Sequence, residues 1–143
     1  MPKKALIGLA LLMAIALFGL IQLVPYGRNH DNPPVQGEPS WDSPTTRALA
    51  ADACFDCHSN ETNWPWYTNI APISWLVQHD VDEGRARLNF SEWGSRRQRA
   101  REIGEVVREG EMPPLQYRVI HANSRLSGQE KDALVSGLAA SLR

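Results

Sequence analysis

The chain has 143 residues, of which 15 are basic and 16 acidic, and two cysteines. That length holds one domain and a further segment. The near-neutral balance excludes a nucleic-acid binder, and two cysteines exclude a disulfide-dense scaffold.

From Ala5 to Val24 runs a stretch of 20 residues in which Gln22 is the only clearly polar one. As a helix rising about 1.5 Å per residue it spans about 30 Å, the thickness of a bilayer core. Lys3 and Lys4 precede it, so the N-terminus is expected to stay cytoplasmic and the rest to be exported. A cleaved signal peptide is the alternative. The run is long for a leader, however, and its exit, "IQLVPYGRNH", offers no small-x-small cleavage site. Residues 1–24 are therefore expected to be a retained anchor, and both readings put the remainder outside the cytoplasm. Without Lys3 and Lys4, 13 basic against 16 acidic residues leave a formal charge of −3. The basic run Arg96, Arg97, Arg99, Arg101 is followed by Glu102, Glu105 and Glu109, which reads as a solvated helix face.

Residues 25–43 carry Pro25, Pro33, Pro34 and Pro39 with Gly27 and Gly37, the composition of an extended linker. The domain proper is expected over residues 44–143, and its pattern is all-α. Ser43-Pro44 pairs an N-cap with a first-turn proline, and helix is expected to continue through "TTRALAADACFDC". "PISWLVQHDVDEG" predicts a second helix. "SRRQRAREIGEVVREG" predicts a third, with Ser95 and Gln98 as a capping box, Ile103, Val106 and Val107 as its apolar stripe, and Gly110 as its stop. The last helix is expected from Ser127, with Glu130 in capping-box position and Leu134, Val135 and Leu138 facing inward. Five tryptophans, among them Trp64 and Trp66 in "NWPWY", and no useful disulfide imply that something other than side chains fills the middle of this small domain.

"CFDCH", residues 54–58, supplies a candidate. Cys-x-x-Cys-His is the attachment signature of c-type haem. Cysteines at i and i+3 lie on one face of a helical turn, where each can form a thioether with one vinyl group of the same porphyrin. His58 then offers its imidazole to the iron from the proximal side. Three rivals exist. A thioredoxin-like redox pair wants a βαβ context, which is absent. A zinc site needs further ligands from His30, His79 or His121, and a plain disulfide or unmodified pair needs nothing more.

For the sixth position the exported part holds one methionine, Met112, in "REGEMPPLQY". Thioether ligation raises a cytochrome's potential. Gly110 ends a helix, Pro113 keeps Met112 out of α geometry and Pro114 stiffens the next residues, so an extended strap across the far haem face is expected. A core methionine filling a gap is the plainer reading. His121, nine residues on, is the rival distal ligand, or a partner for a haem propionate. His79 reads as a packed helical residue, and His30 belongs to the linker.

With "GRNHDNPPV", "CFDCHSNETNWPWYTNIAPISWLVQHDVDEGRARLNFSEW" and "REGEMPPLQYRVIHANSRLS", the chain resembles the haem-binding domain family, small bacterial exported or anchored proteins with one haem attachment site. The resemblance covers most of residues 27–130. It implies a cytochrome c-like helical fold around one covalent haem c, with Cys54 and Cys57 as attachment residues and His58 as proximal ligand. It also places residues 27–35 inside the family pattern, as chain packed on the domain.

Together these features suggest a membrane-anchored monohaem cytochrome, not an enzyme. It would carry single electrons between redox partner proteins on the periplasmic side, with Met112 closing the iron. The alternatives are a peroxidase or gas sensor with an open sixth position, and a structural subunit of a respiratory complex. Neither donor nor acceptor is legible.

Overall fold

The computed structural model describes residues 2–94 and 100–141. Among these residues there are seven α-helices and no β-strand, with one isolated bridge between Gly37 and Glu92. The all-α expectation holds to that extent. The chain divides into two compact units, residues 1–31 with 64–80 and residues 32–63 with 81–143.

The first unit begins with α1 (Lys3–Ile21), a helix with mean hydropathy 2.4 and no buried residue, long and apolar enough to cross a membrane. Its C-cap is Gln22, whose carboxamide is fully used. Nε2 donates to the carbonyls of Phe18 (3.2 Å) and Ala71 (2.9 Å). Oε1 accepts from the Ala71 N–H (3.0 Å) and from Arg28 (2.9 Å). The end of α1 is thereby fixed to the backbone of a residue 49 positions away that is itself fully buried. Residues just beyond α1 are held as well. His30 stacks on Trp64 with ring centroids 4.7 Å apart, and its Nε2 meets the Thr68 carbonyl and hydroxyl at 3.2 and 3.0 Å. A 3-10 turn, Trp66–Asn69, leads into α4 (Ile73–Arg87), whose residues divide between the units after Asp80.

In the second unit Ser43 caps α2 (Pro44–Ala53), its Oγ accepting from the Thr46 N–H at 3.1 Å, with Pro44 at the first position. The helix does not run through the cysteines as expected. Cys54 leaves helical geometry at φ −128°, ψ −33°, serving as C-cap of α2 and N-cap of α3 (Phe55–His58). The Cys57 and His58 N–H groups both donate to the Cys54 carbonyl, which starts a fresh turn (3.2 and 2.8 Å).

The expected third helix is present as α5 (Ala100–Glu109). Its expected capping box, Ser95 and Gln98, lies outside the described residues. Its end is a Schellman motif: Gly110 at φ +77°, with Gly110 N–H to Val107 O (3.2 Å) and Glu111 N–H to Val106 O (3.0 Å). The extended strap is shorter than expected. After residues 111–114 the chain turns into α6 (Leu115–Ile120), for which Pro114 is the N-cap. Pro114 has the extended conformation an N-cap requires and suits the start of a helix as well as it suits a strap. A 3-10 turn, Ala122–Ser124, comes next, then α7 (Gly128–Ser141). The capping box of α7 is reciprocal: Ser127 N–H to Glu130 Oε2 at 2.7 Å and Glu130 N–H to Ser127 Oγ at 3.3 Å.

Helix α7 packs on α5 and α2. Leu134, Val135 and Leu138 meet Ala50, Val107, Phe55, Leu88 and Phe90 in the core. Trp41, Phe55, Phe90 and Trp93 add a run of ring contacts with centroids 5.4–6.2 Å apart. The tryptophans thus serve separate roles, Trp41 and Trp93 around this core and Trp64 on His30. Residues 32–38 are tied to the same unit, with the Gln36 and Gly37 N–H groups on the Ser91 carbonyl and a two-pronged Glu38–Arg47 pair.

Replacing Gln22 with Leu lengthens the apolar run yet strands the buried Ala71 N–H and C=O. A loss of about 1–3 kcal/mol per stranded group is expected, seen as faster hydrogen exchange at the Ala71 amide of full-length protein in detergent.

Candidate functional site

The Cys54–His58 turn sits where α2 ends, and the later chain fixes it from one side. The His58 carbonyl accepts from the Phe90 N–H at 2.8 Å. The His58 ring lies against the end of α4, with Nδ1 3.0 Å from the Gly84 carbonyl and 3.1 Å from the Leu88 carbonyl. Both neighbours are acceptors, so Nδ1 carries the proton and Nε2 keeps its lone pair. Carbonyls at a helix C-terminus carry the negative end of the helix dipole, which makes this imidazole a better base toward a Lewis acid. Burial holds the His58 pKa below its ordinary value, aided by the Arg87 charge and opposed by the two carbonyls. The ring is therefore neutral near pH 7.

Gly84 makes the contact possible. A Cβ at this position would overlap the Cys57 carbonyl, well inside van der Waals contact with its oxygen. Behind the turn lies a buried polar ladder: Asn60 N–H to Ser91 Oγ (2.9 Å), Asn89 Nδ2 to Asn60 Oδ1 (2.9 Å) and Ser91 N–H to Asn89 Oδ1 (2.9 Å). Arg85 Nε donates to the Ser59 carbonyl at 2.8 Å.

Cys54 and Cys57 are half-buried thiols, not joined to each other. Burial, then the neighbouring Cys57, pushes the Cys54 thiol up to about 12. A redox dithiol needs the reverse, a depressed thiolate. Among the described residues no group of three or more His, Cys, Asp or Glu is placed to hold a metal ion by itself.

The segment carrying Met112 reaches this turn through Tyr117. Its hydroxyl donates to Asp56 Oδ2 at 2.6 Å, and Asp56 Oδ1 accepts from the Asn63 N–H at 2.9 Å. The Tyr117 hydroxyl is held strongly toward its protonated form by burial first, then by the Asp56 bond and charge and by both cysteines. His121 stacks on Tyr117 with centroids 4.0 Å apart, and its Nδ1 lies 3.2 Å from the Tyr117 carbonyl. With Asp52, Asp56 and Tyr117 it lines a cavity of about 420 Å³. Met112 occupies the irregular segment before α6, its N–H on Val106 O (3.2 Å) and the residue 38% exposed. His30 is held on Trp64 and Thr68, and His79 is exposed on α4; both lie in the first unit.

Asp56, Tyr117 and Gly84 escaped sequence reasoning. Gly84 had a signal: a glycine inside a helix costs about 1 kcal/mol against alanine, so its presence flags a close approach. Tyr117 had none, because its partner lies 61 residues away.

A family model described as a haem-binding domain matches residues 16–140, most of the chain and the last six residues of α1 with it. The chain belongs to the haem-binding domain family. No curated protein and no solved structure matches it.

Two substitutions probe the site's framework. Gly84→Ala is expected to cost about 1–3 kcal/mol by overpacking against Cys57, read as a lower urea midpoint. Tyr117→Phe removes a hydrogen bond to a charged acceptor and is expected to cost about 1.5–3 kcal/mol. Its amide-exchange protection should fall first in α6, with α7 unchanged.

Proposed function

We propose that this protein is a membrane-anchored monohaem c-type cytochrome that passes single electrons between redox partners outside the cytoplasmic membrane. One observation carries the reading: His58, directly after Cys-x-x-Cys, is held by two backbone carbonyls in the tautomer that offers Nε2. Metal-bound histidines are oriented by just such a second contact.

The residues fit the cofactor. Cys54 and Cys57 would each add their S–H across one vinyl group, sulfur to one carbon and hydrogen to its neighbour, which needs no external oxidant. The raised pKa of Cys54 disfavours its thiolate, the species that would lead to a disulfide beforehand. Bound to these residues, haem supplies reversible one-electron chemistry at iron.

Met112 is the favoured sixth ligand. It stands on irregular backbone at an exposed position, whereas one ring face of the rival His121 is covered by Tyr117; the Nδ1 contact of His121 leaves its Nε2 available, which keeps it the rival. A soft neutral thioether favours Fe(II) and so raises the potential above that of a bis-histidine site. The retained anchor draws support from Gln22, which gives the end of α1 a structural role that a discarded leader lacks. The exposure of Met112 also favours a second reading, a peroxidase or gas sensor with a displaceable sixth ligand. Membership of a respiratory complex is compatible with either.

Mass spectrometry of denatured protein is expected to show one added haem, lost in Cys54→Ser plus Cys57→Ser; an unmodified wild-type mass ends the cytochrome reading. The oxidised protein should be low-spin with a sulfur-to-iron charge-transfer band that Met112→Ala abolishes and His121→Ala preserves. The reverse pattern assigns the iron to His121. A high-spin wild type that reacts with peroxide makes the protein a catalyst or sensor.

A further inference from the structure

We infer that residues 64–76 form a second membrane contact, an uncharged shelf lying on the outer leaflet beside α1. The inference rests on the proposal that α1 spans the membrane.

The geometry starts from Gln22. Nineteen helical residues rise about 28 Å, close to the roughly 30 Å of hydrocarbon, so the C-cap of α1 marks the hydrocarbon edge. Gln22 holds the Ala71 backbone by two hydrogen bonds of 2.9 and 3.0 Å. Ala71 therefore sits at the same depth, and its neighbours cannot stand clear of the lipid headgroups.

Their chemistry suits that depth. Residues 64–78 are 15 consecutive positions without Asp, Glu, Lys, Arg or His, in a chain that is 22% charged. They carry three of its five tryptophans. Trp66 is 75% exposed, Ile73 42% and Leu76 50%, and on the exit from α1 Leu23, Val24 and Tyr26 are exposed too. Large apolar and aromatic side chains left open in one unit mark an interaction surface. Tryptophan and tyrosine flanking a span are the composition of the membrane interface. Continuity with α1 identifies the occupant as lipid rather than a second protein.

The test uses full-length protein in phospholipid nanodiscs, with the photo-reactive residue benzoylphenylalanine placed singly at Leu12, Trp66, Leu76 or Ser136. Each variant is first checked for the parent's circular dichroism. Phospholipid adducts are expected at positions 12, 66 and 76, with loss of the adduct at the exposed α7 position 136. Lipid at 12 but only water or protein adducts at 66 and 76 overturns the shelf and leaves the anchor standing. Absence of lipid at 12 removes the anchor and the shelf together. Cross-links from 66 or 76 to a second copy or a co-purified protein make the surface a protein interface and overturn the inference.

Discussion

The arrangement depends on one contact, the His58 imidazole against the carbonyls that finish α4. It joins two stretches of chain about thirty residues apart, and it decides which ring nitrogen carries the proton. A histidine on a short four-residue helix would otherwise be free to turn. Here the ring adds a donor at the end of a longer helix, to the Leu88 carbonyl and to the Gly84 carbonyl, which also accepts from the Leu88 N–H. Structural and chemical demands coincide: the contact that joins the turn to the helix end also fixes the orientation of the lone pair. The glycine at 84 and the ladder from Asn60 to Ser91 serve the same contact, one by allowing approach and the other by keeping the backbone behind it from shifting.

The opposite side of the turn is governed by the tie from Tyr117 to Asp56. It ties α6, which lies between Met112 and His121, to a carboxylate within the Cys54–His58 turn itself. The two supports differ in kind. One is backbone carbonyl on imidazole, buried and short of alternatives. The other is a single phenol on a carboxylate at the rim of a cavity.

Local rules are readable from the sequence; long-range geometry is not. Ser43-Pro44, Gly110 and the Ser127–Glu130 box each involve residues within six positions of one another, so their chemistry can be read in place. Cys-x-x-Cys-His is legible for the same reason. The break at Cys54 has no signature, because nothing in "ADACFDC" opposes helix; the turn is imposed by what His58 must reach. Pro114 suggests a stiffened strap, but a proline before a short apolar run permits an extended or a helical continuation. Gln22 stands out as the lone amide in an apolar run, yet its partner lies 49 residues downstream and is a backbone, which leaves no mark on the sequence.

That glutamine has a consequence for how the protein can be handled as modules. A single-span anchor is commonly regarded as exchangeable, cut away for a soluble fragment or replaced by another hydrophobic helix. Here the apolar helix α1 and residues 64–80 of the same unit share a hydrogen-bonding residue rather than meeting at a tether. A fragment beginning at residue 25 keeps every helix after α1 yet loses the side chain that completes the Ala71 backbone. A substitute helix would need a carboxamide at the same register. The piece to keep together is accordingly α1 with residues 64–80.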